Sequence, residues 1–260
     1  MIRLIVCDMD GTLASENSQL PSDFALTLEK LRDKNVKFAI ASGRPYKALY
    51  DMLSPYGDDI IYISENGAYV RYKNEILYKE TFDKKQIKQF ERFFTGRDQG
   101  IIACCGYKCY YIKNVEVNFK EVLDEFRIGY ETVDDFGNIN DDIFQLTAFY
   151  ENGINSVEDM PVFQEMSCLY QVVKTHSHWL DIYKKHINKG TGIEKVYKRF
   201  RILPEETVAF GDFFNDIPMF EKVFHSYCME SAPEDVKKYA RYIVNGTSGS
   251  PVTQIIRNII

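Results

Sequence analysis

Asp8 and Asp10 stand two positions apart in the run Asp8-Met9-Asp10-Gly11-Thr12-Leu13, directly after the apolar run Leu4-Ile5-Val6-Cys7. Carboxylates so spaced where a buried strand ends can both face a ligand, one attacking while the other moves a proton. That is the chemistry of phosphoryl transfer. Gly11 permits a bend after the strand, and Thr12 is expected to hold it through side-chain-to-backbone hydrogen bonds. An acidic turn that caps a helix is the competing reading, and three further segments weigh against it.

Ala41-Ser42-Gly43-Arg44 follows a second apolar run and precedes a helix-period stretch. It offers a phosphate a hydroxyl, a glycine amide and the positive end of a helix, although Ser42 alone is also a good N-cap. Asn188-Lys189-Gly190 precedes another helical stretch, so Lys189 either points its ammonium at the same crevice or is solvated. Gly211-Asp212-Phe213-Phe214-Asn215-Asp216 places two carboxylates and an amide on one short loop after a strand-like run. With Asp8 it forms an oxygen-rich cluster suited to a hard, hydrated cation, Mg²⁺, while Asn215 or Asp216 would equally serve as a helix cap. All four segments fall at the ends of expected parallel strands, where open α/β sheets bind ligands.

The elements that must position these residues show in the alternation of short apolar runs with helix-period stretches. Strands are expected at residues 3–7, 36–41 and 60–63, helices over 22–33 and from Pro45 to about 53, and a hairpin at 68–72 and 76–79. From about 82 to 185 the pattern shifts to a module rich in Tyr and Phe. It has helices at 84–94 and near 156–160, and strands at 101–105, 109–112, 143–149, 169–174 and 179–183. The alternation then resumes, with helices at 191–200, 216–223, 233–239 and 251–259 and strands at 207–210, 226–229 and 242–244. The expected class is α/β: a doubly wound, mostly parallel, Rossmann-like core sheet from residues 1–82 plus 186–260, with an inserted α+β domain at 83–185.

At 260 residues the chain exceeds the usual single domain, as that division requires. An apolar share of 45% and a charged share of 27% are ordinary for a soluble globular protein, and no apolar stretch is long enough to cross a bilayer. No membrane partner is expected. The formal charge of -6 argues against a nucleic-acid binder, so an anionic substrate must be held by a few local cations or a metal. The chain opens on a strand-like segment without a leader, and a cytoplasmic location is expected. Its six cysteines mostly lie in apolar runs without a C-x-x-C pair and are expected as free, buried thiols.

Asp8-x-Asp10-Gly-Thr, Ser42-Gly-Arg44, Lys189-Gly and Gly211-Asp212-x-x-Asn215-Asp216, in that order and with a module between the second and third, resemble the four motifs of the haloacid dehalogenase-like superfamily. The resemblance spans the chain. The run Ile-Ala-Ser-Gly-Arg-Pro, the segment Ser64-Glu65-Asn66-Gly67-Ala68 and the place of the insert are similar to the Cof-type branch. Members of that branch carry a type-IIB α/β cap and mostly hydrolyse sugar phosphates and related small phosphoesters.

The resemblance implies a Mg²⁺-dependent phosphatase acting on a small phosphorylated metabolite, with Asp8 as nucleophile and Asp10 as acid-base residue. Ser42, Gly43 and Lys189 would bind phosphoryl oxygens, and Asn215 phosphate or substrate. Mg²⁺ would be held by Asp8, the Asp10 main-chain carbonyl and Asp212. Asp216 would orient Lys189 or metal waters, with Gly11, Thr12 and Arg44 in support. A monomer or dimer is expected. Two departures stand out: Met229-Glu230-Ser231-Ala232 replaces the usual M-G-N-A, and residues 245–252 lack the branch's acidic run.

Two rival functions share this fold. A phosphomannomutase-like mutase needs an arginine-rich cap, and this one has only Arg92, Arg97 and Arg127. A catalytically silent binding or regulatory protein would have no use for the full motif set. Within the cap, His176, Ser177, His178 and Trp179 form the most unusual cluster, suited to stacking on a sugar ring or, alternatively, to packing the cap itself.

Overall fold

The structure, a computed structural model, describes residues 1–15, 18–94, 100–112, 129–150, 152–156, 161–174, 178–246 and 249–260. Every residue of β1 (Leu4–Cys7) is buried, as befits an apolar run in a strand covered on both faces. In α1 (Phe24–Asp33) the buried residues Phe24, Thr27, Leu28 and Leu31 recur at helical spacing on one face. There follow β2 (Lys37–Ala41), α2 (Tyr46–Leu53), β3 (Ile61–Ser64), β4 (Tyr69–Tyr72) and β5 (Glu75–Lys79). The next stretch carries α3 (Lys84–Phe94), β6 (Gly100–Cys104), β7 (Cys109–Ile112), β8 (Tyr130–Val133), β9 (Gln145–Phe149), α4 (Pro161–Met166), β10 (Tyr170–Lys174) and β11 (Trp179–Lys184). The last holds α5 (Lys189–Phe200), β12 (Thr207–Gly211), α6 (Ile217–Phe220), β13 (His225–Met229), α7 (Glu234–Lys237), β14 (Tyr242–Val244) and α8 (Ser250–Ile259).

The chain divides into two compact units. The first comprises Met1–Ser42, Tyr50–Tyr78 and Asn188–Ile260, and the second Gly43–Leu49 with Lys79–Ile187. Among the described residues the first unit's sheet runs β14-β13-β12-β1-β2-β3-β4-β5, parallel from β14 to β3 and antiparallel at β3 and β4. Cys7 pairs with Phe210 on one side and Ile40 on the other, so β1, β12 and β2 end level. Asp8, Asp212 and Ser42, each leaving one of these strands, therefore emerge at one edge of the sheet.

The second unit holds a sheet in the order β10-β11-β9-β6-β7-β8, antiparallel except for the parallel pair β7 and β8. Ile87, Phe90 and Phe94 of α3 pack with Leu146, Leu180 and Ile182 in its core.

Three local expectations need correction. Strand β8 carried no signal, because Glu131 and Thr132 on this edge strand are exposed and no apolar run forms. The helix expected at 216–223 is the single turn of α6 after a 3₁₀ turn at Phe214–Asp216, since the amides of Lys222 and Val223 bond three residues back. The helix expected near 156–160 falls mostly outside the described residues; a helix is described at Pro161–Met166. Cys7, Cys105, Cys109 and Cys228 are buried thiols, but Cys168 is exposed.

Helix α5 lies close to the sheet because Gly192 has no side chain: a Cβ there would strike Ile63 Cγ2, while Ile193 and Val196 fill the core beside it. Gly192→Ala is expected to cost about 1–3 kcal/mol by overpacking, a fall of roughly 2–10 °C in Tm. A melting curve superimposable on that of the parent would show that the helix does not need this approach.

Candidate active site

The turn after β1 is built from its backbone. The Leu13 amide donates to the Asp8 carbonyl at 3.2 Å and the Ala14 amide to the Met9 carbonyl at 2.8 Å. Gly11 has φ 83°, and a Cβ there would collide with the Asp212 carboxylate, so both backbone freedom and lack of side chain are needed. Thr12 does not hold the bend through the backbone as expected. Its hydroxyl donates to Asp212 Oδ1 at 2.8 Å, joining two loops that end neighbouring strands.

Lys189 is wholly buried, which excludes the reading of a solvated lysine. Asn188 caps α5, its Oδ1 accepting from the Thr191 amide at 2.9 Å, and so sets Lys189 at the first helical position. The Lys189 ammonium donates to Asp8 Oδ1 at 2.5 Å and to Asp216 Oδ1 at 2.6 Å. Asp216 Oδ2 accepts from the amides of Asp212 and Phe213 at 2.9 and 3.0 Å, so one carboxylate fixes both the lysine and the loop. Asp10, by contrast, is exposed.

Carboxylate oxygens of Asp8, Asp212 and Asp216 lie within 4.8 Å of one another. Burial pushes the Asp8 carboxyl well above its usual range, with Asp216 and Asp212 adding to the rise against the pull of Lys189. Burial and then Asp216 push Asp212 up to about 6. Burial works to discharge Lys189, yet Asp216 and Asp8 outweigh it and hold the ammonium charged.

With all groups ionised, three carboxylates face one ammonium, and the missing positive charge is what a divalent cation supplies. Both oxygens of Asp216 are engaged, so Asp8 and Asp212 are the donors this cluster offers. An all-oxygen set of this kind fits Mg²⁺.

Ser42 is buried, its amide donating to the Ile63 carbonyl and its carbonyl accepting from the Asn66 amide, both at 2.9 Å. It does not cap α2, which begins four residues later at Tyr46. Gly43 and Arg44 partition with the second unit. Asn215 Nδ2 donates to Asn66 Oδ1 at 3.1 Å, a partner that sequence reasoning did not name. Its signal lay in the segment Ser64-Glu65-Asn66-Gly67-Ala68, whose resemblance to the Cof-type branch named no role for Asn66.

Glu230 is exposed, and its carboxylate accepts from the Gly246 amide at 3.1 Å. His176, Arg97 and Arg127 lie outside the described residues. In the second unit, the His178 ring stacks on Phe149 at 5.7 Å with Nδ1 against the Tyr150 carbonyl at 2.8 Å, and Trp179 packs on Phe149 at 4.8 Å.

A doubly wound sheet bearing a carboxylate-lysine centre at its strand ends is an arrangement suited to phosphoryl transfer. Residues 5–256 match the haloacid dehalogenase-like hydrolase family, and the chain belongs to it. A relative in Escherichia coli (strain K12), 5-amino-6-(5-phospho-D-ribitylamino)uracil phosphatase YbjI, is 25% identical over 268 residues, covering 100% of this chain and 96% of that protein. The subclass IIB sugar phosphatase BT4131 has a TM-score of 0.82 at 27% identity, covering 99% of this chain and 98% of that one. A haloacid dehalogenase-like hydrolase from Bacteroides thetaiotaomicron shares the fold, with a TM-score of 0.86 at 20% identity over 100% of both chains. No helix among the described residues is long and apolar enough to cross a membrane.

The raised carboxyl pKa values carry a signed prediction. Near pH 6 a fraction of Asp212 holds a proton that an entering cation must displace, and burial drives the Asp8 carboxyl in the same direction, so Mg²⁺ binding should release protons and tighten as pH rises through about 6. Calorimetry in buffers of different ionisation heat reads this directly. Asp212→Asn should weaken Mg²⁺ binding and, by removing a repelled buried charge, raise the metal-free Tm by roughly 2–4 °C. Affinity independent of pH across this range would contradict the electrostatic account.

Proposed function

We propose that this hydrolase is a Mg²⁺-dependent phosphatase of small phosphorylated metabolites, sugar phosphates among them, working through an aspartyl-phosphate on Asp8. The observation that carries the reading is the buried Lys189 ammonium bound to Asp8 and Asp216 beside Asp212. A carboxylate so held is aimed by the ammonium yet still an oxygen nucleophile, and no buried thiol or hydroxyl needs activating. The phosphatase names of YbjI and BT4131 support the reaction class, and the ribityl and sugar esters in those names support a polyol or sugar leaving group.

Asp8 attacks phosphorus as the bond to the leaving alkoxide breaks, and Asp10 gives that alkoxide its proton. Asp10 then takes a proton from the water that attacks the acyl phosphate, so the phosphorus–oxygen bond to Asp8 breaks and its carboxylate returns. Lys189 offsets the charge gathered on Asp8 and the phosphoryl group, while Ser42 and Asn215 donate to phosphoryl oxygens. Mg²⁺, held by Asp8, Asp212 and the Asp10 carbonyl, would screen the phosphate from these anions. Choice of leaving group is assigned to the inserted domain at 83–185, including His178 and Trp179.

Asp8→Asn should abolish phosphate release from p-nitrophenyl phosphate and from sugar phosphates in a protein that still folds, with a lower Tm because the buried Lys189 ammonium loses one of its two carboxylates. Asp10→Asn should lose on the order of 10²–10⁴-fold on sugar phosphates, whose alkoxides need a proton. EDTA should stop the parent enzyme and Mg²⁺ restore it. More than a few per cent of activity in Asp8→Asn, or full activity in EDTA, would sink the mechanism.

A further inference from the structure

Three consecutive residues after β3 have positive φ: Glu65 at 45°, Asn66 at 50° and Gly67 at 97°. Two of them are not glycine, and such a backbone persists only where its surroundings dictate it. The surroundings here are the segments that hold the phosphate-site residues. The Asn66 amide donates to the Ser42 carbonyl at 2.9 Å. Asn66 Oδ1 accepts from Asn215 Nδ2 at 3.1 Å. Gly67 lies against the main-chain carbonyl of Asn188, leaving no room for a Cβ, and Asn188 caps the helix that carries Lys189. Asn66 itself is 3% exposed, and Asn tolerates the left-handed region better than most residues.

An asparagine amide has a donor end and an acceptor end, and only the donor end suits a phosphate. Once one Nδ2–H of Asn215 is engaged by Asn66, the amide can no longer rotate freely, and its second Nδ2–H stays available as a donor. Released from that bond, the amide is free to turn its carbonyl oxygen toward the anion. We infer that Asn66 is a positioning residue, fixing the amide of Asn215 and the backbone of Ser42 for phosphate binding, an inference that rests on the phosphatase reading above. The strained turn is then a brace shared by the loops after β2 and β12 and by the start of α5.

The test is a double-mutant cycle. Asn66→Gly keeps the positive φ and deletes only the side chain. It should lower kcat/KM and weaken binding of inorganic phosphate to the Mg²⁺-loaded protein by ~5-fold, the worth of one neutral hydrogen bond. In an Asn215→Ala background the same change should have little further effect, because there is no amide left to orient. Equal losses in both backgrounds, or no loss in either, would overturn the inference, since a purely structural role lowers both alike. Calorimetry with inorganic phosphate reads the cycle without turnover. An enzyme that binds phosphate but hydrolyses no ester would thus fail the phosphatase reading while the cycle still decides Asn66, and a parent protein that binds no phosphate overturns the inference as well.

Discussion

A single buried ammonium organises this protein. Lys189 sits without solvent between Asp8 and Asp216, and a lysine can be kept charged there only if both carboxylates are in place. Removing one partner from a buried ion pair costs about 3–5 kcal/mol, because the charge left behind has no water to turn to. Much else follows from meeting that requirement. The end of β1 must meet the start of α5, so the chain returns from its second unit with Asn188 as a cap. Asp216 must reach back across its own loop, and there is no room for a Cβ on Gly211 beside its carboxylate.

The same arrangement sets a conflict between folding and chemistry. Asp212 and Asp8 are driven up in pKa because burial and neighbouring anions oppose their ionisation. A core built for stability alone would not crowd three carboxylates around one lysine. A divalent cation bound by Asp8 and Asp212 would relieve that repulsion and stabilise the protein. The left-handed turn at Glu65–Gly67 belongs to the same pattern, with unfavourable backbone held beside the site by hydrogen bonds to it.

What the sequence revealed and what it hid have physical causes. The parallel strands were legible because they are covered on both faces, so Leu4–Cys7 and residues 208–210 read as unbroken apolar runs. The acidic residues were legible because they follow those runs directly. Lys189 was ambiguous, since a solvated lysine and a buried one are the same letter and only the fold reveals which carboxylates surround it. Thr12 was misread because its acceptor, Asp212, stands 200 residues away, and the Asn66–Asn215 bond spans 149 residues. Local reasoning finds side chains at the ends of strands. It does not find which loops those strands bring together.

In the mechanism proposed above Asp8 becomes covalently phosphorylated. With enzyme in excess over a phosphoester and Mg²⁺ present, acid quench within the first turnover should trap an acyl phosphate, and borohydride reduction should mark the carboxyl that carried it. Peptide mass spectrometry is expected to find that mark on Asp8 alone, rising and decaying at rates that match phosphate release. Turnover that proceeds with Asp8 unmarked, or with the mark on Asp10 or Asp212, would contradict the account.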